Sequence, residues 1–129
     1  GKDQMGRLKD RFLELIQLAK DSRGPAKLAL NEQWKAFQVY VGNVVVAIEQ
    51  SAAVEILTSL EKKQEALEAA ALFYDNYIEK FDLPYVPNIV EPLVDKYIKK
   101  IFLILASGSI DATVSTLRQF NVIKKKEVL

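Results

Sequence analysis

Six large apolar residues, Leu30, Trp34, Phe37, Val41, Val44 and Ile48, recur in steps of four, three, four, three and four. That spacing puts all six on one stripe of an α-helix, and such a stripe must be hidden against a partner helix. No other feature narrows the possible folds as far. One rival reading exists over residues 39–46. Val39-Tyr40-Val41, Gly42-Asn43 and Val44-Val45-Val46 also resemble two β-branched runs around a two-residue turn. The stripe passes through Gly42-Asn43 without changing phase, which favours the helix and leaves the hairpin as the alternative. A glycine inside a helix costs about 1 kcal/mol relative to alanine, so close approach of another helix is the expected reason for Gly42.

The rest of the chain reads as further helices. Residues 3–21 place Met5, Leu8, Phe12, Leu15, Ile16 and Ala19 at helical spacing among charged residues, and Gly24-Pro25 punctuates the end. The second helix is expected to begin near Pro25. Thr58 followed by Glu61 matches a capping box and predicts a third helix, running to Phe81. Its buried side is expected to carry Leu67, Ala70, Phe73, Tyr74, Tyr77, Ile78 and Phe81, and its wet side Glu61, Glu65, Glu68, Asp75 and Glu79. Residues 82–88, with Pro84 and Pro87, form a loop.

A fourth helix is expected from the Asn88/Glu91 capping box to Ala106. Its Val90, Leu93, Val94, Tyr97, Ile98, Ile101, Ile104 and Leu105 make a wide apolar face. The last turns are apolar nearly all round, which predicts a central position. Ser107-Gly108-Ser109 reads as a turn, with Ser109 capping a short fifth helix whose stripe is Ile110, Val114, Leu117 and Phe120. The expected fold is therefore all-α: one domain over residues 1–129, a compact bundle of four principal helices plus a short C-terminal helix. Short loops make it mostly antiparallel, and the tail is expected to be flexible from about residue 122.

Composition then limits the chemistry. With 129 residues the chain can bury one core, and half its residues are apolar. It contains no Cys and no His. Disulfides, thiolate metal sites, Ser-His and Cys-His nucleophile pairs, HExxH zinc sites and Glu-x-x-His di-iron sites are all excluded. Glu61, Glu65 and Glu68 share a helix face but read as a surface strip with Lys62 and Lys63 beside them, not as acid–base catalysts. The five glycines are too scattered for a phosphate loop. No enzyme activity, cofactor or metal is expected.

Charge is segregated along the chain. Residues 1–40 carry eight Lys/Arg against five acids, residues 41–95 three against ten, and residues 96–129 seven against two. Such segregation suits self-complementary packing or a polar partner surface. Lys96, Lys99 and Lys100 are candidate interaction residues, as is Tyr85, which sits in the proline-flanked loop and either plugs the bundle end or meets a partner. Without arginine-rich or aromatic interleaving, no nucleic-acid partner is expected. Trp34, Phe37, Tyr74 and Tyr77 could wall a pocket for an apolar small molecule, although aromatic residues at this spacing are more often core.

The longest apolar run, Ile101 to Ala106, falls far short of the ~20 residues of a membrane span. A cytoplasmic location is the expectation for the chain as given. Gly1 has the look of a cloning remnant, which leaves room for a preceding N-terminal segment, and with it a membrane association.

Four stretches in order, Val46-Ala47-Ile48-Glu49-Gln50, Glu61-Lys62-Lys63, Leu83-Pro84-Tyr85-Val86-Pro87 and Ile89-Val90-Glu91-Pro92-Leu93-Val94-Asp95, give residues 27–101 a resemblance to small phage-encoded holin-like proteins. The resemblance implies a soluble helical portion attached to an N-terminal membrane segment, with assembly at the membrane as its role. It transfers no functional residues, and this chain departs from the family in lacking that segment and in its longer C-terminal end. The leading functional expectation is a non-enzymatic helical interaction and assembly module, with a protein partner or self-association. The alternative is a helical carrier for an apolar small molecule.

Overall fold

A computed structural model describes residues 2–24, 29–52, 57–78 and 91–123. Four helices follow in order: α1 (Lys2–Arg23), α2 (Leu30–Ala52), α3 (Ser59–Asn76) and α4 (Glu91–Gln119), and no strand is present among the described residues. The architecture is an all-α bundle. The 39–46 stretch is helical, so the stripe and not the Gly-Asn pair decides its conformation. The residues around Pro25, where α2 was expected to begin, lie outside the described residues; α2 is seen from Leu30.

The middle pair is α2 and α3. Their register runs antiparallel: Lys62 near the start of α3 meets Glu49 near the end of α2, and the Tyr40 hydroxyl donates to the Ala69 carbonyl at 2.8 Å. The inner face of α3 carries Ala66, Ala69 and Ala70. These small residues let the α2 side chains Phe37, Tyr40, Val41 and Val44 come close enough to be fully buried. α1 lays Leu8, Phe12, Leu15 and Ile16 against the pair from one side, while α4 contributes Ala106 and Ile110 from the other. Both outer helices touch the central pair, and they do not touch each other among the described residues.

The helix ends follow local chemistry. Thr58 caps α3 as expected: the Glu61 amide donates to its hydroxyl at 3.1 Å, and its own amide donates to the Glu61 carboxylate at 3.0 Å. These bonds, the backbone one first, lower the Glu61 pKa. Gly24, at φ +69°, closes α1 through its amide bond to the Lys20 carbonyl.

Several expectations are corrected. α3 stops at Asn76, short of Phe81, because the Ile78 amide turns back to the Phe73 carbonyl at 3.3 Å and the Asn76 side chain bonds to the Leu72 carbonyl. Glu65 belongs to the buried face and not the wet one, being 7% exposed. Gly42 is not explained by a close approach, since a Cβ there would meet nothing within 4 Å. The predicted turn at Ser107-Gly108-Ser109 does not occur, and there is no separate fifth helix; α4 continues through it to Gln119. Ala106 and Ile110, buried on either side, hold the helix together there. Lys63 donates to the Ser107 carbonyl at 2.9 Å, and the Ser109 hydroxyl donates to Gln38 instead of capping. These contacts outweigh the about 1 kcal/mol that a mid-helix glycine costs.

α4 ends in a Schellman motif that the sequence reading did not foresee. Asn121 takes φ +59°, its amide bonds to the Arg118 carbonyl, and the Val122 amide bonds to the Leu117 carbonyl at 2.9 Å. Ile123 then folds back and is buried, and the rest of the tail expected to be flexible lies outside the described residues.

Candidate functional site

The aromatic residues come first, because they were candidates for pocket walls. Trp34, Phe37, Tyr74 and Tyr77 gather with Tyr40, Phe73 and Phe102 into one cluster. Ring centroids lie 4.4 Å apart for Phe73–Tyr77, 4.9 Å for Phe37–Phe102 and 5.2 Å for both Trp34–Phe37 and Tyr74–Phe102. At these separations the rings fill the space between them. Burial pushes the Tyr40 phenol well above its usual range, as expected of a hydroxyl whose bond goes to a backbone carbonyl in the core. Tyr74 is raised as well, by burial first and then by the charges of Asp95 and Asp75.

A cleft of about 400 Å³ opens between α2, α3 and α4, away from the rings. Its floor is apolar (Val45, Ile48, Ala66, Ile110 and Val114), and its rim is charged. Most of that charge is satisfied within the chain. Lys62 pairs with Glu49 at 3.2 Å, and Lys63 with Asp111 at 2.5 Å. Among the described residues, no three acids lie close enough to hold a metal ion. A second depression, of about 540 Å³, lies between α1 and α2 and is lined by Leu15, Ala19, Ala36, Val39, Tyr40 and Tyr77. Glu65 has a raised pKa, through burial and then the charge of Glu68, but it lines neither hollow.

The feature that stands out lies on α4. Leu93, Tyr97, Ile101, Ile104 and Leu105 are 67%, 67%, 45%, 71% and 56% exposed. Their steps of four, four, three and one place them on one face of the helix, opposite the face that carries Ala106 and Ile110. The apolar residues expected to sit centrally are therefore largely turned outward. The buried seam of α4 runs instead along Phe102, Leu103, Ala106, Ile110, Val114 and Leu117. With the turn removed, residues Asp95–Gln119 form one helix long and apolar enough to cross a membrane by length and composition, which no shorter segment had suggested. That same stretch carries Asp95, Lys96, Lys99, Lys100, Asp111 and Arg118.

The candidate interaction residues separate accordingly. Lys96 and Lys100 are exposed, one turn apart on one flank of the apolar face, with no ion pair to a described residue. Lys99 faces inward and is held by Asp75 of α3 at 2.8 and 3.0 Å. Tyr85 lies outside the described residues. The exposed α4 face is what the sequence reading missed. The signal was present in the number of apolar residues around α4, more than one buried seam can use.

Comparison of the chain with family models, with curated proteins and with solved structures finds no match.

Proposed function

We propose that this protein is a non-enzymatic helical interaction and assembly module that docks through the outer face of α4. The observation that carries this reading is the row of five large, exposed apolar side chains on a helix whose other face is already committed to the core. Contiguous apolar surface of that kind marks a contact site when it is flanked by charge. Lys96 and Lys100 supply the flank. The resemblance to phage holin-like proteins implies assembly at a membrane, and the assembly part of that expectation agrees with this reading. A carrier for an apolar small molecule would need a hollow between Trp34, Phe37, Tyr74 and Tyr77, and those rings lie in contact through Phe73 and Phe102.

Sedimentation equilibrium across a wide concentration range tests the proposal, with a variant carrying Ile101→Glu and Ile104→Glu as the control. The expected result is an associating wild type, or a wild type that retains a specific protein in a pull-down, and a variant that does neither while melting at the same temperature. A strict monomer that retains no partner would overturn it.

A further inference from the structure

The outer face of α4 is not uniform along its length. Its N-terminal half is bulky, with Leu93, Tyr97 and Ile101, and Ile104 and Leu105 stand at its middle. Its C-terminal half continues the same row with Gly108, Ala112, Ser115 and Gln119, all exposed and the first three small. A Cβ at Gly108 would meet nothing within 4 Å, so the row is notched there. The flank is polarised in the same way. Lys96 and Lys100 lie beside the bulky half, and Asp111 lies beside the small half with its side chain 72% exposed despite its bond to Lys63.

Resting on the assembly reading above, we propose that the occupant of this face is a second copy of the same chain, its α4 antiparallel to the first. The two-fold axis passes near Ile104 and Leu105. Antiparallel pairing sets residue 101 against residue 108 and residue 97 against residue 112. The bulky half of each copy then fills the notch of the other, which is how close-packed helix interfaces are made. In this arrangement like flanks meet, so Lys100 of one copy approaches Asp111 of the other, twice over by symmetry. Parallel pairing would set rings and branched chains against each other, leave the glycines facing a gap and, because opposite flanks then meet, place Lys100 of one copy away from Asp111 of the other. A lipid surface would accept the bulky half but would leave the Asp111 carboxylate poorly served.

The absence of native cysteine makes the register directly measurable. Tyr97→Cys and Ala112→Cys proteins are oxidised separately and as a mixture. The expected result is a disulfide-linked dimer in the mixture and almost none in either protein alone. Residues 97 and 112 are about 22 Å apart along the helix, whereas a disulfide needs Cα atoms within about 7 Å. Gly108→Leu, in the otherwise unchanged chain, is expected to keep or raise the melting temperature while weakening dimerisation at least about tenfold, because it fills the notch while its Cβ meets no obstacle in its own chain.

Cross-linking of each single variant with itself means parallel pairing, and overturns the antiparallel dimer while leaving the assembly reading intact. A monomer that instead captures another protein through α4 does the same. A monomer that floats with phosphatidylcholine–phosphatidylglycerol vesicles overturns both.

Discussion

α1 and α4 occupy equivalent places in the bundle, each laid against the α2–α3 pair from outside, yet their outer faces differ in kind. From Arg7 onward the outer face of α1 is built from Arg7, Lys9, Asp10, Arg11, Glu14, Gln17 and Asp21, with Leu18 the most exposed large apolar residue among the described side chains of the helix. Arg11 and Glu14 pair along it at 3.2 Å, as residues on a solvated helix do. α4 presents Leu93, Tyr97, Ile101, Ile104 and Leu105 in the same position. Core formation asks the same of both helices, namely one apolar stripe, and α1 supplies only that. The second stripe of α4 stays outside the core formed by the described residues, which is why the proposed docking surface is placed on it.

The largest expected effect concerns what the two helices share. Phe37 is fully buried and touches Trp34, Tyr40, Phe73 and Phe102. Phe37→Ala should cost about 3–5 kcal/mol in denaturant unfolding, because the ring cluster cannot collapse around the loss. A cost below about 1 kcal/mol would mean that the central pair is not the platform for the outer helices.

Next in size is the difference between the outer faces. Ile104→Glu on α4 should weaken self-association at least about thirtyfold, as for a central interface residue, and change stability by no more than about 0.5 kcal/mol. Leu18→Glu on α1 should leave association alone. Equal effects of the two in sedimentation would erase the distinction.

Two mid-helix glycines sharpen it further. Gly42→Ala and Gly108→Ala both lack steric obstacles and should each stabilise the fold by up to about 1 kcal/mol, read as a higher denaturation midpoint. Only Gly108→Ala should also weaken association, because only Gly108 lies in the α4 row.

The smallest effect concerns Glu65, a charge on the inner face of α3. Its pKa is raised in the folded state, so protonation favours folding, and that contribution is lost as pH rises through the raised value. At neutral pH, Glu65→Gln should therefore raise the melting temperature by a degree or two. The gain should disappear below the ordinary glutamate value of 4.5, where the wild-type carboxyl is protonated folded and unfolded alike. A gain that persists in acid would assign the effect to packing instead.

The parts of this structure that sequence made legible are those decided within a turn or two of chain. Thr58 and Glu61 cap each other from three residues apart, Gly24 ends α1 in the left-handed region, and the α2 stripe needs only its own period. What stayed hidden was decided by partners distant in sequence. Ser107-Gly108-Ser109 has the composition of a turn, and it is helical because Lys63 and Gln38 bond to it and because Ala106 and Ile110 are buried beside it. Glu65 follows charged neighbours on α3 but shares the face of Ala69 and Phe73. On α4, apolar residues lie nearly all round, and periodicity alone does not say which of two stripes the core will take. Of the candidate interaction residues, Lys96 and Lys100 are exposed, as lysines beside an apolar helix face are, whereas the Asp75 bond that draws Lys99 inward comes from another helix and could not be read locally.

The central claim is that the outer face of α4, and not that of α1, is covered by a protein surface in solution. Methyl NMR on dilution tests it most directly. The account predicts that Ile101, Ile104, Leu105 and Leu93 shift together as the protein is diluted while Leu13 and Leu18 stay fixed. Signals on both helices that are indifferent to concentration, in a protein that captures no partner, would contradict it.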